Sequence, residues 1–377
     1  MRLSETEKDR RLELVREWMR RDKIDALLVV GDAPCVTSKE GGNFRYLTDF
    51  FVYANYSVLL CFVEKESVLF VGSINPLYWA PKRSSVKDVR MSTDYAADIA
   101  KVLNERTQAA HGRLGLASIA SLPPNSFITL RENLRNWEFI DADPILFDLR
   151  FAKSKEEQRL LKKSADLIDA SFEAVKKKIK PGLKEYEIVG FLEGFHRSRG
   201  AEQTFNLISS GPFPGGKGQG FPTLPASPSD RIIKKGDVIF LEISASIMGY
   251  WNQLVREVTM GKNPEFAAFH KALVKTVRAG AKSMKTGAKT SDFIAAMEKA
   301  ATQEGFKLNP PMGHYVGLDL GEASLEKPLV LKLGSAAIVH PCLSDQRGTR
   351  VFWGETYLVG EKKAACLNQP SEDLVVI

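Results

Sequence analysis

Residues 233–262 read IKKGDVIFLEISASIMGYWNQLVREVTMGK. Two strand-like segments lie within them, Asp237-VIFLEISA and Leu254-VREVTMG, each dense in β-branched and apolar side chains. Both also carry groups able to do chemistry: Glu242 in the first, and Asn252, Gln253 and Arg256 in or beside the second. Upstream, an amphipathic helix is predicted from Ser154 to about Lys180, with Ser154 as N-cap and Glu157 three residues on as its capping-box partner. Lys180-Pro-Gly182 ends it, and a second helix over Lys184 to Arg199 stops at Gly200. Downstream come helices over about Pro264 to Lys285 and Ser291 to Gly305, then strands around Ala336-AIVH and Thr356-YLVG.

Ahead of residue 150 the pattern is that of a smaller α/β domain. Leu12, Val15, Trp18 and Met19 fall at helical spacing before the strand-like Asp25-ALLVVG-Asp32, and further apolar runs follow at Tyr56-SVLLCFV, Ser67-VLFVG and Arg113-LGLAS. A chain of 377 residues exceeds what one hydrophobic core usually supports. Two domains are therefore expected, 1–150 and 151–377, with the boundary near Asp148-LRFAKSKEEQ.

The net charge of +7 comes from Lys and Arg scattered among Glu and Asp along helices, which reads as a solvated basic surface and gives no expectation of nucleic-acid binding. That surface can still draw in an anionic substrate. The four Cys (Cys35, Cys61, Cys342, Cys366) form no CxxC pair, and the N-terminal MRLSETEKDRR lacks the apolar core of a signal peptide, so free thiols in a cytoplasmic protein are expected. No apolar run approaches the ~18 residues of a membrane-spanning helix, and no membrane partner is expected.

Six stretches recur in a telling order: Asn43-FRYLTDF, Lys153-SKEEQRLLKKSADLIDASFEAVKKKIKPG, the 233–262 segment, Gly313-HYVGLDLGE, Val330-LKLGSAAIVHP and Gly354-ETYLVGE. Together they resemble the pita-bread superfamily of creatinase, aminopeptidase P, prolidase and methionine aminopeptidase. The resemblance covers essentially the whole chain, more firmly after residue 150. It implies an α+β fold: a C-terminal pita-bread catalytic domain preceded by a smaller α/β creatinase-type domain. In it Asn43-FRYLTDF corresponds to a strand-turn segment and 233–262 to a central hairpin. It also implies a homodimer in which one subunit caps its mate's site, making Arg45, Tyr53 and Asn55 candidates for contacts across the interface.

The resemblance further implies where a metal site belongs. In the family's metallopeptidases an Asp, a second Asp eleven residues later, a His and two Glu hold two divalent ions, which activate a shared water. Here those positions fall on Glu242, Gln253, His314, His340 (followed by Pro341) and Gly354. Four carboxylates drop to one, so a dinuclear centre is not expected. A one-residue slip would offer Glu355, but strand alternation sends Gly354 and Glu355 to opposite faces. Two His and one carboxylate leave open a single divalent metal on Glu242, His314 and His340. Without metal, the same three side chains make a general acid/base set, with Gln253, Asn252, Arg256, Tyr315 and Arg350 as substrate-binding candidates.

Creatinase, the metal-free hydrolase of this fold, gives the precedent for breaking a C–N bond in such a pocket. Its carry-over is incomplete: the segment Gly211-PFPGGKGQGFPT contains no His, and the Glu that precedes the family Arg is Val255 here. The expectation is a metal-independent or mononuclear hydrolase of a small polar molecule. An Xaa-Pro type metallopeptidase with altered ligands and an inert binding protein are the alternatives, and a positioned base would serve a lyase equally well. His111, His196 and His270 read as surface or packing residues, and Cys342, two residues after His340, as a conceivable nucleophile. The Gly-rich stretch lacks the GxxxxGK[ST] order of a phosphate loop and reads as a pocket rim, with Lys217, Phe213 and Phe221 able to close over a ligand.

Overall fold

The run Ala26 to Gly31 is buried at every position because it is an interior strand, covered on both faces. The computed structural model describes residues 3–32, 41–53, 55–213, 225–369 and 371–377. The chain divides into two compact units, Met1–Arg150 and Phe151–Ile377.

In the first unit the strands are β1 (Ala26–Asp32), β2 (Tyr56–Phe62), β3 (Val68–Val71), β4 (Asp88–Met91), β5 (Gly112–Ala117) and β6 (Trp137–Asp141). Among the described residues they form one mixed sheet, ordered β4-β3-β2-β1-β5-β6. The helix Glu5–Arg21 leads into β1, and the Ser4 hydroxyl caps it by accepting from the Glu7 N–H at 3.1 Å. Leu28, Val30, Leu60, Phe70 and Leu114 make a core under the helix Tyr95–Thr107.

One expectation fails here. Asn43-FRYLTDF is not a strand-turn segment but belongs to the helix Gly41–Thr48, in which every residue from Gly42 to Thr48 is buried. Backbone amides so enclosed need local partners. The helix supplies them, and the Thr48 hydroxyl donates back to the Phe44 carbonyl at 2.8 Å.

The second unit begins with the helix Lys155–Lys176, whose capping box is complete: the Ser154 N–H donates to Glu157 Oε2 at 2.7 Å and the Glu157 N–H to Ser154 Oγ at 3.3 Å. It ends short of Gly182, which turns at φ +95°. The helix Glu185–Ser198 follows, and after it β7 (Gln203–Pro212), β8 (Asp237–Ile247) and β9 (Tyr250–Thr259). Helices Pro264–Ser283 and Thr290–Gln303 precede the short strands β10 (Lys307–Asn309), β11 (Gly313–Tyr315), β12 (Ala323–Ser324), β13 (Ala336–Val339), β14 (Cys342–Ser344), β15 (Arg350–Phe352), β16 (Glu355–Leu358), β17 (Ala365–Cys366) and β18 (Val375–Val376). Among the described residues these make three sheets, β18-β9-β8-β7, β12-β11-β13-β16-β17 and β10-β14-β15.

β8 and β9 form the hairpin expected from 233–262, closed by a two-residue turn in which Met248 and Gly249 both take positive φ, 52° and 80°. Its register places Glu242 opposite Val255 and Ser244 opposite Gln253. Side chains alternate along a strand. Phe240, Glu242, Ser244, Gln253 and Val255 therefore share one face, while Leu241, Ile243, Leu254 and Val258 join Ile168, Phe172 and Leu192 in the helix-covered core.

Candidate active site

On the shared face Gln253 Nε2 donates to Glu242 Oε1. Gln253 is fully buried, and Glu242 keeps partial exposure. Burial pushes the Glu242 carboxyl up to about 7, with the Gln253 hydrogen bond pulling the other way. This is a carboxyl split between its charged and neutral forms near neutral pH.

The pocket wall runs on through Val255 to Gly354, its β-bridge partner. Gly354 in turn abuts His340. A Cβ on Gly354 would stand 2.4 Å from both His340 Cβ and the Val339 carbonyl oxygen. The His340 ring lies 5.3 Å from His314, edge to face, and 6.0 Å from Phe352. Phe352 stacks nearly parallel on Phe240 at 6.3 Å, which leads back to the face that carries Glu242. The hairpin and the β11-β13-β16 sheet thus link Glu242 and Gln253 to His340 and His314 through the Phe240–Phe352 stack and the Val255–Gly354 bridge.

Neither imidazole is hydrogen-bonded to Glu242. Burial lowers His340 to about 4, opposed by its own backbone and then by the charge of Glu326, and burial together with His340 lowers His314 to about 3. Both are neutral at pH 7. His314 Nδ1 lies 3.4 Å from the Tyr315 carbonyl, whereas both ring nitrogens of His340 are buried without a hydrogen-bond partner among the described residues.

Several expected site residues point elsewhere. Asn252 and Arg256 are one residue out of phase with Gln253, which places them on the opposite face. Asn252 Oδ1 accepts from Asn368 Nδ2 at 3.1 Å. Arg256 donates to the Gly354 carbonyl at 3.0 Å and to Glu355 at 2.5 Å, with its guanidinium 4.4 Å from the Trp353 ring centre. Tyr315 alternates away from His314, and its hydroxyl lies 3.3 Å from Thr290 Oγ1. Glu355 is 1% exposed and also binds Arg278 at 2.9 Å. Phe213 is buried against Phe266 and Phe269 and cannot act as a lid, while Lys217 and Phe221 lie outside the described residues.

Arg350 is exposed, on the same face of the β14-β15 pair as Cys342 and Phe352. Burial raises the Cys342 thiol to about 11, the wrong direction for a nucleophile at neutral pH. In the first unit Arg45 is buried beside Asp49 at 3.7 Å, and Tyr53 is exposed. His196 is a satisfied core residue, 2.9 Å from both Ser171 and Thr204 hydroxyls, and His270 is buried 3.1 Å from Glu257.

Sequence reasoning missed Ser244, Phe240, Phe352 and Glu326. Ser244 and Phe240 stand two residues either side of Glu242, so strand alternation alone would have found them. Phe352 and Glu326 reach the site only through tertiary pairing.

A divalent pair does not fit this donor set. Glu242 is the one carboxylate among the five family positions, Gln253 is neutral, and at Gly354 the neighbouring backbone fills the space where a side chain would start. Nor do Glu242, His314 and His340 converge on a single ion: among the described residues no group of three or more His, Cys, Asp or Glu is placed to hold one. Gly354→Ala is expected to overpack this joint, costing about 1–3 kcal/mol and lowering the thermal midpoint by several degrees. Thermal unfolding of the variant checks this, and an unchanged midpoint would contradict the close approach.

The family model for metallopeptidase family M24 matches residues 159–361, and that for the creatinase/prolidase N-terminal domain matches residues 11–152. The Xaa-Pro dipeptidase of Pyrococcus horikoshii is 24% identical over 282 residues, covering 73% of this chain and 79% of that protein. The creatinase of Bacillus sp. B-0618 is 25% identical over 378 residues, covering 92% of this chain and 85% of that protein. Among solved structures, the X-Pro aminopeptidase of Thermotoga maritima superposes with a TM-score of 0.82 at 20% identity, over 97% of this chain and 99% of that one. The prolidase of Pyrococcus horikoshii OT3 gives 0.81 at 22% identity, over 97% and 100%. The pita-bread resemblance carried by the quoted stretches is thereby borne out, and with the match spanning more than half its length this chain belongs to metallopeptidase family M24.

Proposed function

We propose that this protein is a hydrolase that opens a C–N bond, of amide or amidine type, in a small polar substrate without a dinuclear metal centre. The observation that carries this reading is Glu242, a partly accessible carboxyl tuned to about 7 in a pocket where the family's metal-binding carboxylates are missing. A general base works best when its pKa lies near the operating pH. The Glu242 carboxylate takes a proton from water as the water oxygen adds to the substrate carbon. The same carboxyl then gives that proton to the leaving nitrogen, and the C–N bond breaks. His314, lowered to about 3, is too weak a base to share this work. It instead orients His340, whose N–H is free to face the oxygen or nitrogen that gains charge.

The relatives named as Xaa-Pro dipeptidases favour a metallopeptidase, but the donor set opposes it. An inert binding protein would be expected to have replaced unpartnered buried polar groups such as His340 and Gln253 Oε1, which cost stability and give nothing back. A homodimer belongs to the same reading by family resemblance. Exposed Tyr53 stays a candidate for its interface, and Arg45, enclosed beside Asp49, does not.

Metal analysis tests the proposal. The purified protein is expected to hold only substoichiometric Mn, Zn, Co or Fe, and dialysis against a chelator is expected to leave both its thermal midpoint and any turnover unchanged. Two equivalents of one metal per chain, with activity lost on their removal, would sink it.

A further inference from the structure

The inner end of the pocket holds polar atoms that the fold leaves unused. Gln253 commits Nε2 to Glu242, and its Oε1 is buried without a partner. Directly opposite, fully buried Ser244 has an unpartnered Oγ. Next to Gly354, the bridge partner of Val255, His340 is 7% exposed, and neither ring nitrogen has a hydrogen-bond partner among the described residues. Buried polar atoms are normally satisfied, so three unsatisfied side chains on the Glu242 face and the strand next to it point to a ligand that completes them.

Their chemistry selects that ligand. Gln253 Oε1 only accepts, so it calls for an N–H. A neutral imidazole offers one donor and one acceptor, and a serine hydroxyl serves either way. Glu242 is already hydrogen-bonded to Gln253, and Glu326, whose charge reaches His340, accepts from the Met312 N–H and the Ser324 hydroxyl. Arg256 is tied to Glu355 on the other face, and Arg350 is exposed beyond Phe352. A buried ammonium or guanidinium would find only carboxyls that are already engaged, and a buried carboxylate would meet neither of these arginines. Either charge would be taken out of water without adequate compensation.

We infer that the group seated at this inner end is an uncharged amide-like edge, with an N–H donor beside a C=O acceptor, as in a carboxamide, ureide or lactam. This names the substrate class of the proposed hydrolase and rests on that reading for turnover, though not for binding. It departs from a substrate that presents its amino terminus or a guanidinium to the same position.

Calorimetric titration of the full chain at pH 7 tests it, with 2-pyrrolidinone and hydantoin as neutral probes and propylguanidinium and butyrate as charged ones. The neutral probes are expected to bind at least about ten-fold more tightly, because a site built from buried hydrogen-bonding groups rejects ligands that leave them unpaired. Gln253→Glu, which removes the Nε2 donor to Glu242 and sets a second carboxyl beside it, is expected to weaken the neutral probes about ten-fold and to admit propylguanidinium. Should that variant not fold, His340→Gln is expected to weaken the neutral probes comparably, with thermal unfolding as the check on its integrity. Equal or tighter binding of a charged probe overturns the inference. So does the absence of binding by either neutral probe up to its solubility, which would mean that these atoms hold ordered water only. The outcomes separate the two claims: a neutral ligand that binds but is never cleaved overturns the hydrolase and supports this inference, while turnover of a guanidinium compound does the reverse.

Discussion

Glu242→Gln is expected to lower turnover by about 10²–10⁴, the usual range for loss of a positioned general acid–base, and at the same time to stabilise the fold above neutral pH. The two effects have one cause. Burial raises the Glu242 carboxyl from 4.5 to about 7, so the folded protein holds a proton there that the unfolded chain has released. Where the native state binds more protons than the unfolded one, stability falls as pH rises. This contribution is complete below pH 4.5, declines between 4.5 and 7, and stays absent above. A rise from 4.5 to about 7 corresponds to roughly 3 kcal/mol. An amide at this position carries no charge to desolvate, so the variant should melt higher than the parent at about pH 8 and nearly level with it at about pH 4.5. The parent's kcat/KM should rise with pH through an apparent pKa near 7, and the variant should lose that limb. Unfolding midpoints at the two pH values and a pH–rate profile decide the matter. Full activity in Glu242→Gln, or an equal midpoint at the higher pH, would contradict the assignment.

Glu355→Ala is expected to be the most destabilising single change near the site, by about 3–5 kcal/mol, with any loss of activity following loss of fold. Glu355 and Arg256 are 1% and 2% exposed, and the carboxylate takes the Arg256 guanidinium at 2.5 Å, Arg278 at 2.9 Å and the Tyr357 hydroxyl at 3.1 Å. Removing it takes away the one carboxylate hydrogen-bonded to Arg256 and leaves the guanidinium two backbone carbonyls. Scaled to a unit of this size, the midpoint should drop by roughly 6–20 °C. A variant that keeps its midpoint but loses turnover would instead place Glu355 in the chemistry.

The same residue shows how far the sequence can be read. Alternation along β16 requires Gly354 and Glu355 to face opposite ways, and they do, so the missing carboxylate is legible in the order of residues alone. The same rule, applied to β9, excludes Asn252 and Arg256 from the pocket, since they are out of step with Gln253. Nearness in sequence misleads there, where strand periodicity does not. Tyr315 fails for the same reason, one residue from His314. The strand-turn at Asn43-FRYLTDF is implied by resemblance alone, and aromatic residues two apart, Phe44 and Tyr46, suit a helix buried on all sides as well as a strand.

The sequence, with the resemblance it carries, determined the fold, the central hairpin, the capping box at Ser154 and the loss of the family's carboxylates. All of these depend on residues close in the chain or on their order along it. Only the tertiary structure decided what the surviving groups can do. The titration of Glu242 near 7, the neutrality of His314 and His340, the unpartnered nitrogens of His340 and the absence of room at Gly354 arise from how the hairpin and the β11-β13-β16 sheet exclude water from one another. Desolvation depends on every atom that surrounds a group, and those atoms come from strands far apart in the chain.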